Sequence, residues 1–346
     1  MRVITFFVLL LGVHCFGQDN SFILGKPTGN FAVGVAGIRI ERAGTSFESK
    51  IWYPAENVIG LRPESYIQSY DITLLAETFS NIPFGFDRSF FESINVLSNS
   101  FLNAPISSSE DKYPVLIFSH GFGWSFPEYY TSLMEHLASY GYVIFSIHHP
   151  QESAQATLAN GHKVSFDGTK LNLFMSEIGS AFGSLMKSTS DEERLTLSKE
   201  VIEKGEYANT VVETWVTDFN AMFEELPGLD AKHPLFASKL DLSRIGALGH
   251  SLGGACAVHF AITNDEIDVV INLDGFPYGR LPLKKLTSPF LLMSSENFST
   301  FNEAAYANYV LDSFAHVFVK GIQHNGYTDM ALWPLKTGAT QAVGSE

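Results

Sequence analysis

The stretch Arg244–Val258, "RIGALGHSLGGACAV", decides how the rest of the chain is read. An apolar run enters a serine bracketed by glycines, and the chain leaves through Ala255, Cys256, Ala257 and Val258. Gly249-His250-Ser251-Leu252-Gly253 has the spacing G-x-S-x-G of a sharp strand-to-helix turn that lifts a serine hydroxyl clear of a sheet. Such a turn strains the serine backbone, and side chains two residues to either side would collide with neighbouring main chain, so both places need glycine. The helix that follows aims its unpaired N–H groups at developing negative charge. Phosphate-binding turns fit worse: no Lys follows the glycines as in G-x-x-x-x-G-K-[ST], and G-x-G-x-x-G is absent here.

Outward from the serine, one beat recurs. Upstream, "YPVLIFSHG" (Tyr113 to Gly121) is a short apolar run, then comes helical "PEYYTSLMEHLASYG" and a second apolar run, "YVIFSIHHP". Downstream lie "DVVINLD", "SPFLLMSSE", helix-like "NEAAYANYVLDSF" and "AHVFVKG". Strands alternating with helices predict right-handed βαβ units and a mostly parallel sheet covered on both faces. Nearer the N-terminus, "VGVAGIRIE" and "ESKIWYPA" alternate as an antiparallel pair, and residues 56–112 are mixed. Residues 151–241 are polar and helical, with long amphipathic spacing from Asp191 to Leu226. They are read as a helical insertion before the serine-bearing strand, within a single domain spanning 18–346.

Bulk properties narrow the class. A chain of 346 residues with 45% hydrophobic and 13% aromatic residues has ample material for a core. Its formal charge of −15 argues against a nucleic-acid partner, whose phosphates are bound largely by Lys and Arg. In "MRVITFFVLLLGVHCFGQDN", Arg2 precedes an apolar stretch, and Cys15 and Gly17 offer small side chains before Gln18. That layout predicts a signal peptide over residues 1–17, cleavage at Gly17–Gln18 and an exported protein. The mature chain would keep only Cys256, so neither a disulfide nor a cysteine metal cluster is expected.

A serine hydroxyl is a poor nucleophile at neutral pH and needs a base, which in turn needs an orienting carboxylate. His324, in "AHVFVKGIQHNGYTD", follows the last strand-like run and is the expected base. His316 sits inside that run and reads as packing, while His136, His250 and His259 read as structural. The pair His148-His149 ends a strand and is a candidate pocket lining, with no third ligand for a metal. Two carboxylates compete for the acid: Asp274, ending "VVINLD", and Glu296, ending "FLLMSSE". Asp241, Asp268 and Asp329 read as caps or surface charges. After Tyr113–Gly121, His120-Gly121 permits a bend that turns the Phe122 N–H inward, and the Leu252 N–H supplies a second oxyanion donor. The stretches "FGFDRSFF" (Phe84 to Phe91) and "GFGWSF" (Gly121 to Phe126) are candidates for an apolar rim against acyl chains or a lipid surface, with core packing as the competing reading.

Taken together, "KYPVLIFSHGFG", "HLASYGYVIFSIHHPQESA", "RIGALGHSLGGA", "NLDGFP", "SSENF" and "QHNGYTDM" resemble, in order and spacing, the platelet-activating factor acetylhydrolases of the plasma and type II group. The resemblance covers roughly Lys26 to Trp333 and implies an α/β-hydrolase fold. It implies Asp274 as the acid, with Ser251 and His324 as nucleophile and base, and Phe122 and Leu252 N–H as oxyanion donors. It implies a calcium-independent ester hydrolase without cofactor, acting on phospholipids with short or oxidised acyl chains. Segments 56–110 and 151–240, which would shape the pocket, match loosely. Dienelactone-hydrolase-like and polyester-cleaving esterases share the same core, and a non-catalytic binding protein on that scaffold would need a broken triad.

Overall fold

The computed structural model describes residues 22–344 apart from 43–44, 68–69, 81–85, 151, 159–160, 282–283, 297, 307–308, 310–312 and 336–338. The expected signal peptide and its cleavage site lie outside the described residues.

The chain opens with the antiparallel pair β1 (Ala32–Arg42) and β2 (Thr45–Ala55), followed by β3 (Pro63–Ser65), α1 (Ile72–Phe79), α2 (Arg88–Ile94) and β4 (Leu97–Leu102). Then β5 (Tyr113–Ser119), α3 (Thr131–Ser139) and β6 (Val143–His148) form the first parallel unit. A small hairpin of β7 (Gln155–Thr157) and β8 (Lys163–Ser165) leads to three helices: α4 (Gly168–Leu185), α5 (Asp191–Lys204) and α6 (Glu206–Lys232). The serine-bearing unit is β9 (Leu240–His250) and α7 (Leu252–Thr263). It is followed by β10 (Val269–Leu273), β11 (Phe290–Ser294), α8 (Ser299–Tyr306) and β12 (Phe314–Phe318).

Ten strands form one sheet in the order β12-β11-β10-β9-β5-β6-β2-β1-β4-β3, with every neighbouring pair from β12 to β6 parallel. Parallel strands inside such a sheet are buried on both faces, which is why they read as continuous apolar runs. On β5 the alternation separates two cores: Val115 and Ile117 join the cluster under α6 and α7, while Leu116 and Phe118 join the cluster under α1 to α3. Helix α7 has apolar or small residues all round and is buried accordingly.

Two expectations change. The amphipathic stretch from Asp191 is two helices, because the backbone breaks at Gly205, where a Cβ would crowd Tyr278, Ile178 and the Val201 carbonyl. And the segment read as an excursion is only partly one: α6 is the crossover that returns the chain from β6 to β9. It carries Val212, Trp215, Phe219, Met222 and Leu226, all buried in the core beside α7.

Candidate active site

The turn between β9 and α7 has the strain its glycines foretell. Ser251 sits at φ 57 and ψ −126, a region that L residues rarely occupy. A Cβ on Gly249 would overlap the Gly253 carbonyl, and one on Gly253 would overlap the carbonyls of Ser119 and His120. The start of α7 therefore rests directly on the end of β5, bringing the Leu252 N–H beside the His120-Gly121-Phe122 turn. The first N–H groups of a helix have no acceptor within it. The Phe122 N–H also has no partner among the described residues.

Three hydrogen bonds orient that turn. The His149 backbone N–H donates to His120 Nε2 at 3.2 Å, so the His120 proton lies on Nδ1 and is donated to the Gly121 carbonyl at 2.7 Å. The Gly121 N–H donates to Tyr130 Oη at 3.0 Å. With the Gly121 carbonyl held towards His120, the trans peptide turns the Phe122 N–H the opposite way.

Ser251, His324 and Asp274 form one chain of hydrogen bonds. Ser251 Oγ lies 2.9 Å from His324 Nε2, and His324 Nδ1 lies 2.8 Å from Asp274 Oδ2. Asp274 is 1% exposed and also accepts the Ser295 N–H at 2.8 Å and the Ser295 hydroxyl at 2.6 Å. Burial pushes its carboxyl upward, yet the bonds from His324 and Ser295 together hold it below the ordinary carboxylate value. Glu296, one residue past Ser295, is exposed, and its backbone N–H donates to the Ile322 carbonyl. Of the two carboxylates, only Asp274 meets the imidazole.

The "NLDGFP" turn that presents Asp274 is built by a buried amide. Asn272 accepts the Gly275 N–H at 2.7 Å and donates to the Gly275 carbonyl at 3.0 Å and to Tyr306 Oη at 2.8 Å. A Cβ on Gly275 would overlap the Ser251 carbonyl and one on Gly254 would overlap Asn272, so both glycines serve close approach. Asn272, Ser295 and Tyr130 were not singled out from sequence. For Asn272 and Ser295 the available signal was a polar residue at the end of a buried strand.

The other histidines divide. His149 is 1% exposed and held by packed partners: its Nδ1 lies 2.8 Å from Asp218, its Nε2 2.9 Å from Ser119 Oγ, and it stacks on Trp215 at 3.9 Å. His148 lines a separate cavity of about 340 Å³ with Lys50, Glu64, Tyr70 and Glu128, which Ser251 does not line. His316 contacts Ser294 Oγ and Glu303. Asp329 is not a surface charge: it is 3% exposed and accepts the Ser132 N–H in the first turn of α3. Among the described residues no cluster of three His, Cys, Asp or Glu side chains has metal-binding geometry, and no helix is long and apolar enough to cross a membrane.

The apolar rim also needs correction. Phe86, Phe91 and Phe126 are buried among Phe79, Tyr129 and Trp333 because their rings fill the space under α1 and α2; Phe84 lies outside the described residues. Phe122 does face the site, at its aromatic wall. It meets Phe174 of α4 at 5.9 Å, while Phe182, two turns along α4, meets Phe298, whose ring stacks on His324 at 5.0 Å. Helix α4 thus spans from the His120-Gly121-Phe122 turn to the ring beside His324.

Comparison with known proteins gives the same frame. A ferulic acid esterase from Streptomyces cinnamoneus superposes with a TM-score of 0.65 over 93% of this chain and 86% of its own, at 19% identity, so the two share the α/β-hydrolase fold. Platelet-activating factor acetylhydrolase of Cavia porcellus is 24% identical over 332 residues, covering 92% of this chain and 71% of that protein. Its counterpart in Canis lupus familiaris is 26% identical over 223 residues, 60% of this chain and 45% of that one. The family model described as "Platelet-activating factor acetylhydrolase, isoform II" matches residues 16–337. The chain belongs to the platelet-activating factor acetylhydrolase isoform II family, a family of ester hydrolases.

Proposed function

We propose that this protein is an exported serine ester hydrolase working through an acyl-enzyme. The observation that carries the reading is the unbroken chain Ser251–His324–Asp274. His324 takes the Ser251 proton as the oxygen attacks an ester carbonyl. The Phe122 and Leu252 N–H groups receive the oxyanion, each contributing about 3 kcal/mol of transition-state stabilisation. Collapse leaves an acyl-serine and expels the alcohol, protonated by His324; the imidazole then activates water to release the acid. Asp274 holds the Nδ1–H tautomer and balances the transient imidazolium charge.

The aromatic wall of Phe122, Phe174, Phe182 and Phe298 suits a short apolar acyl group. With the names of the relatives, it favours the sn-2 acyl ester of platelet-activating-factor-like or oxidised phospholipids. The second reading, a general or polymer esterase, draws on the fold shared with the ferulic acid esterase. Turnover of acetylated ether phospholipids well above that of p-nitrophenyl esters of matched chain length supports the first; the reverse order supports the second.

Covalent capture tests the enzyme reading directly. A fluorophosphonate probe is expected to label the wild type and not Ser251→Ala, and intact mass of the exported labelled chain should begin at Gln18. An unlabelled wild type would sink the proposal.

A further inference from the structure

Three parts of the site sit on different segments, and two buried side chains join them. Tyr130 ends the short turn Pro127–Tyr130 ahead of α3, its ring packed against Phe118. His250 is the residue before Ser251 and is 2% exposed. Tyr130 Oη lies 2.8 Å from His250 Nδ1, 3.0 Å from the Gly121 N and 2.9 Å from Ser125 Oγ. On its other side, His250 Nε2 lies 3.0 Å from the backbone carbonyl of His324.

Chemistry settles every proton in this chain. A carbonyl only accepts, so His250 Nε2 carries hydrogen and donates to His324 O. Burial first, then the neighbouring His324, holds the ring's pKa down to about 3, so it stays neutral and Nδ1 bears a lone pair. Tyr130 must then donate its one proton to Nδ1. The same phenol oxygen is left to accept the Gly121 N–H and the Ser125 hydroxyl. Each atom has one role, and the opposite tautomer would leave His250 without a donor for the His324 carbonyl.

We infer that Tyr130 and His250 are positioning residues. They register the Gly121 N–H, and through Gly121 the Phe122 N–H that follows it as one oxyanion donor, against the backbone of the base His324, in the Nε2–H tautomer alone. Neither touches the reacting atoms; each acts through a neighbour's main chain. The inference rests on the ester-hydrolase reading above, and misplacing an oxyanion donor or a base by a fraction of an ångström is costly to the chemical step but not to substrate binding.

The first arm needs no variant. Nitrogen-15 histidine NMR of the wild-type protein, with His250→Gln to assign the signal, should give Nε2 protonated and Nδ1 bare at both about pH 5 and about pH 8. An Nδ1–H tautomer or an imidazolium at His250 overturns the inference, whether or not any ester is turned over. In the second arm, Tyr130→Phe should lower kcat by about 10- to 100-fold with KM nearly unchanged. Its affinity for a trifluoromethyl ketone, which forms a tetrahedral adduct on the serine, should fall by the same factor. His250→Gln, which keeps a donor towards the His324 carbonyl, should recover activity that His250→Ala loses. A Tyr130→Phe protein that unfolds more easily but keeps wild-type kcat overturns the inference. If the wild type neither labels nor turns over, the function reading falls instead, and the NMR arm still decides the tautomer.

Discussion

At the scale of single residues, the choice between two acids turns on direction. Asp274 has φ 58, a strained backbone that turns its carboxylate back over β10 and β11, into reach of Ser295 and His324. Glu296 leaves the sheet one strand later and faces outward. Asp274→Asn should lower kcat by about 10⁴, because an amide that turns its NH2 to Nδ1 donates there, cannot stabilise the imidazolium and favours the wrong tautomer. Glu296→Gln should leave kcat close to wild type. Measured side by side, a large loss in the second variant alone would reassign the acid. Against burial, which raises the Asp274 carboxyl, His324 first and then Ser295 with two hydrogen bonds hold it below the ordinary carboxylate value.

At the scale of elements, α6 matters more than its place in the chain suggests. Its Trp215 is fully buried, stacks on His149 with the planes 3° apart, and meets His120 at 5.4 Å. On the same helix Asp218 pairs with His149 and with Arg42 of β1, and burial raises its carboxyl to about 7 despite the Arg42 charge. One helix thereby supports the strand end that precedes the oxyanion turn. Trp215→Ala should cost about 3–5 kcal/mol, the range for emptying a fully buried aromatic site. Urea unfolding reads this as a shift of midpoint. A change below about 1 kcal/mol would mean that α6 is dispensable packing, as a true insertion would be.

At the scale of the whole molecule, the end of the chain is tied back onto the face of the sheet opposite α6. Asp329 reaches the first turn of α3, and Met330 and Trp333 enter the core beneath α1 and α2. Burial lifts the Asp329 carboxyl to about 8, more than its bonds from Ser132 pull it down. The unfolded chain releases that proton near pH 4, so the native state binds more protons between about pH 4 and 8. The stabilisation is complete below about pH 4 and is lost as pH rises through about 8. Asp329→Asn keeps an acceptor for the Ser132 N–H and removes the titration. It should match the wild type at or below about pH 4 and melt roughly 3 °C or more higher near pH 8. Equal melting curves at both pH values would mean that Asp329 stays ionised in the native protein.

The local pattern of the sequence determined the sheet, the serine turn and the histidine that meets it. Period-two burial, helix-length spacing and glycines around one serine are each set by neighbours along the chain. "RIGALGHSLGGACAV" thus announced both the fold and the strained turn that carries Ser251. Tertiary structure decided what depends on register between distant segments. Asp274 and not Glu296 meets His324 because the turn after β10 carries its carboxylate onto Ser295 and the imidazole, while Glu296 is exposed. The Phe122 N–H is turned away from the Gly121 carbonyl because His120 and Tyr130, held by the residue after β6 and by the residue before Ser251, grip the two successive peptides that meet at Gly121. Helix α6 is core and not excursion because its apolar stripe finds the sheet, and a polar composition does not say which way a stripe will face.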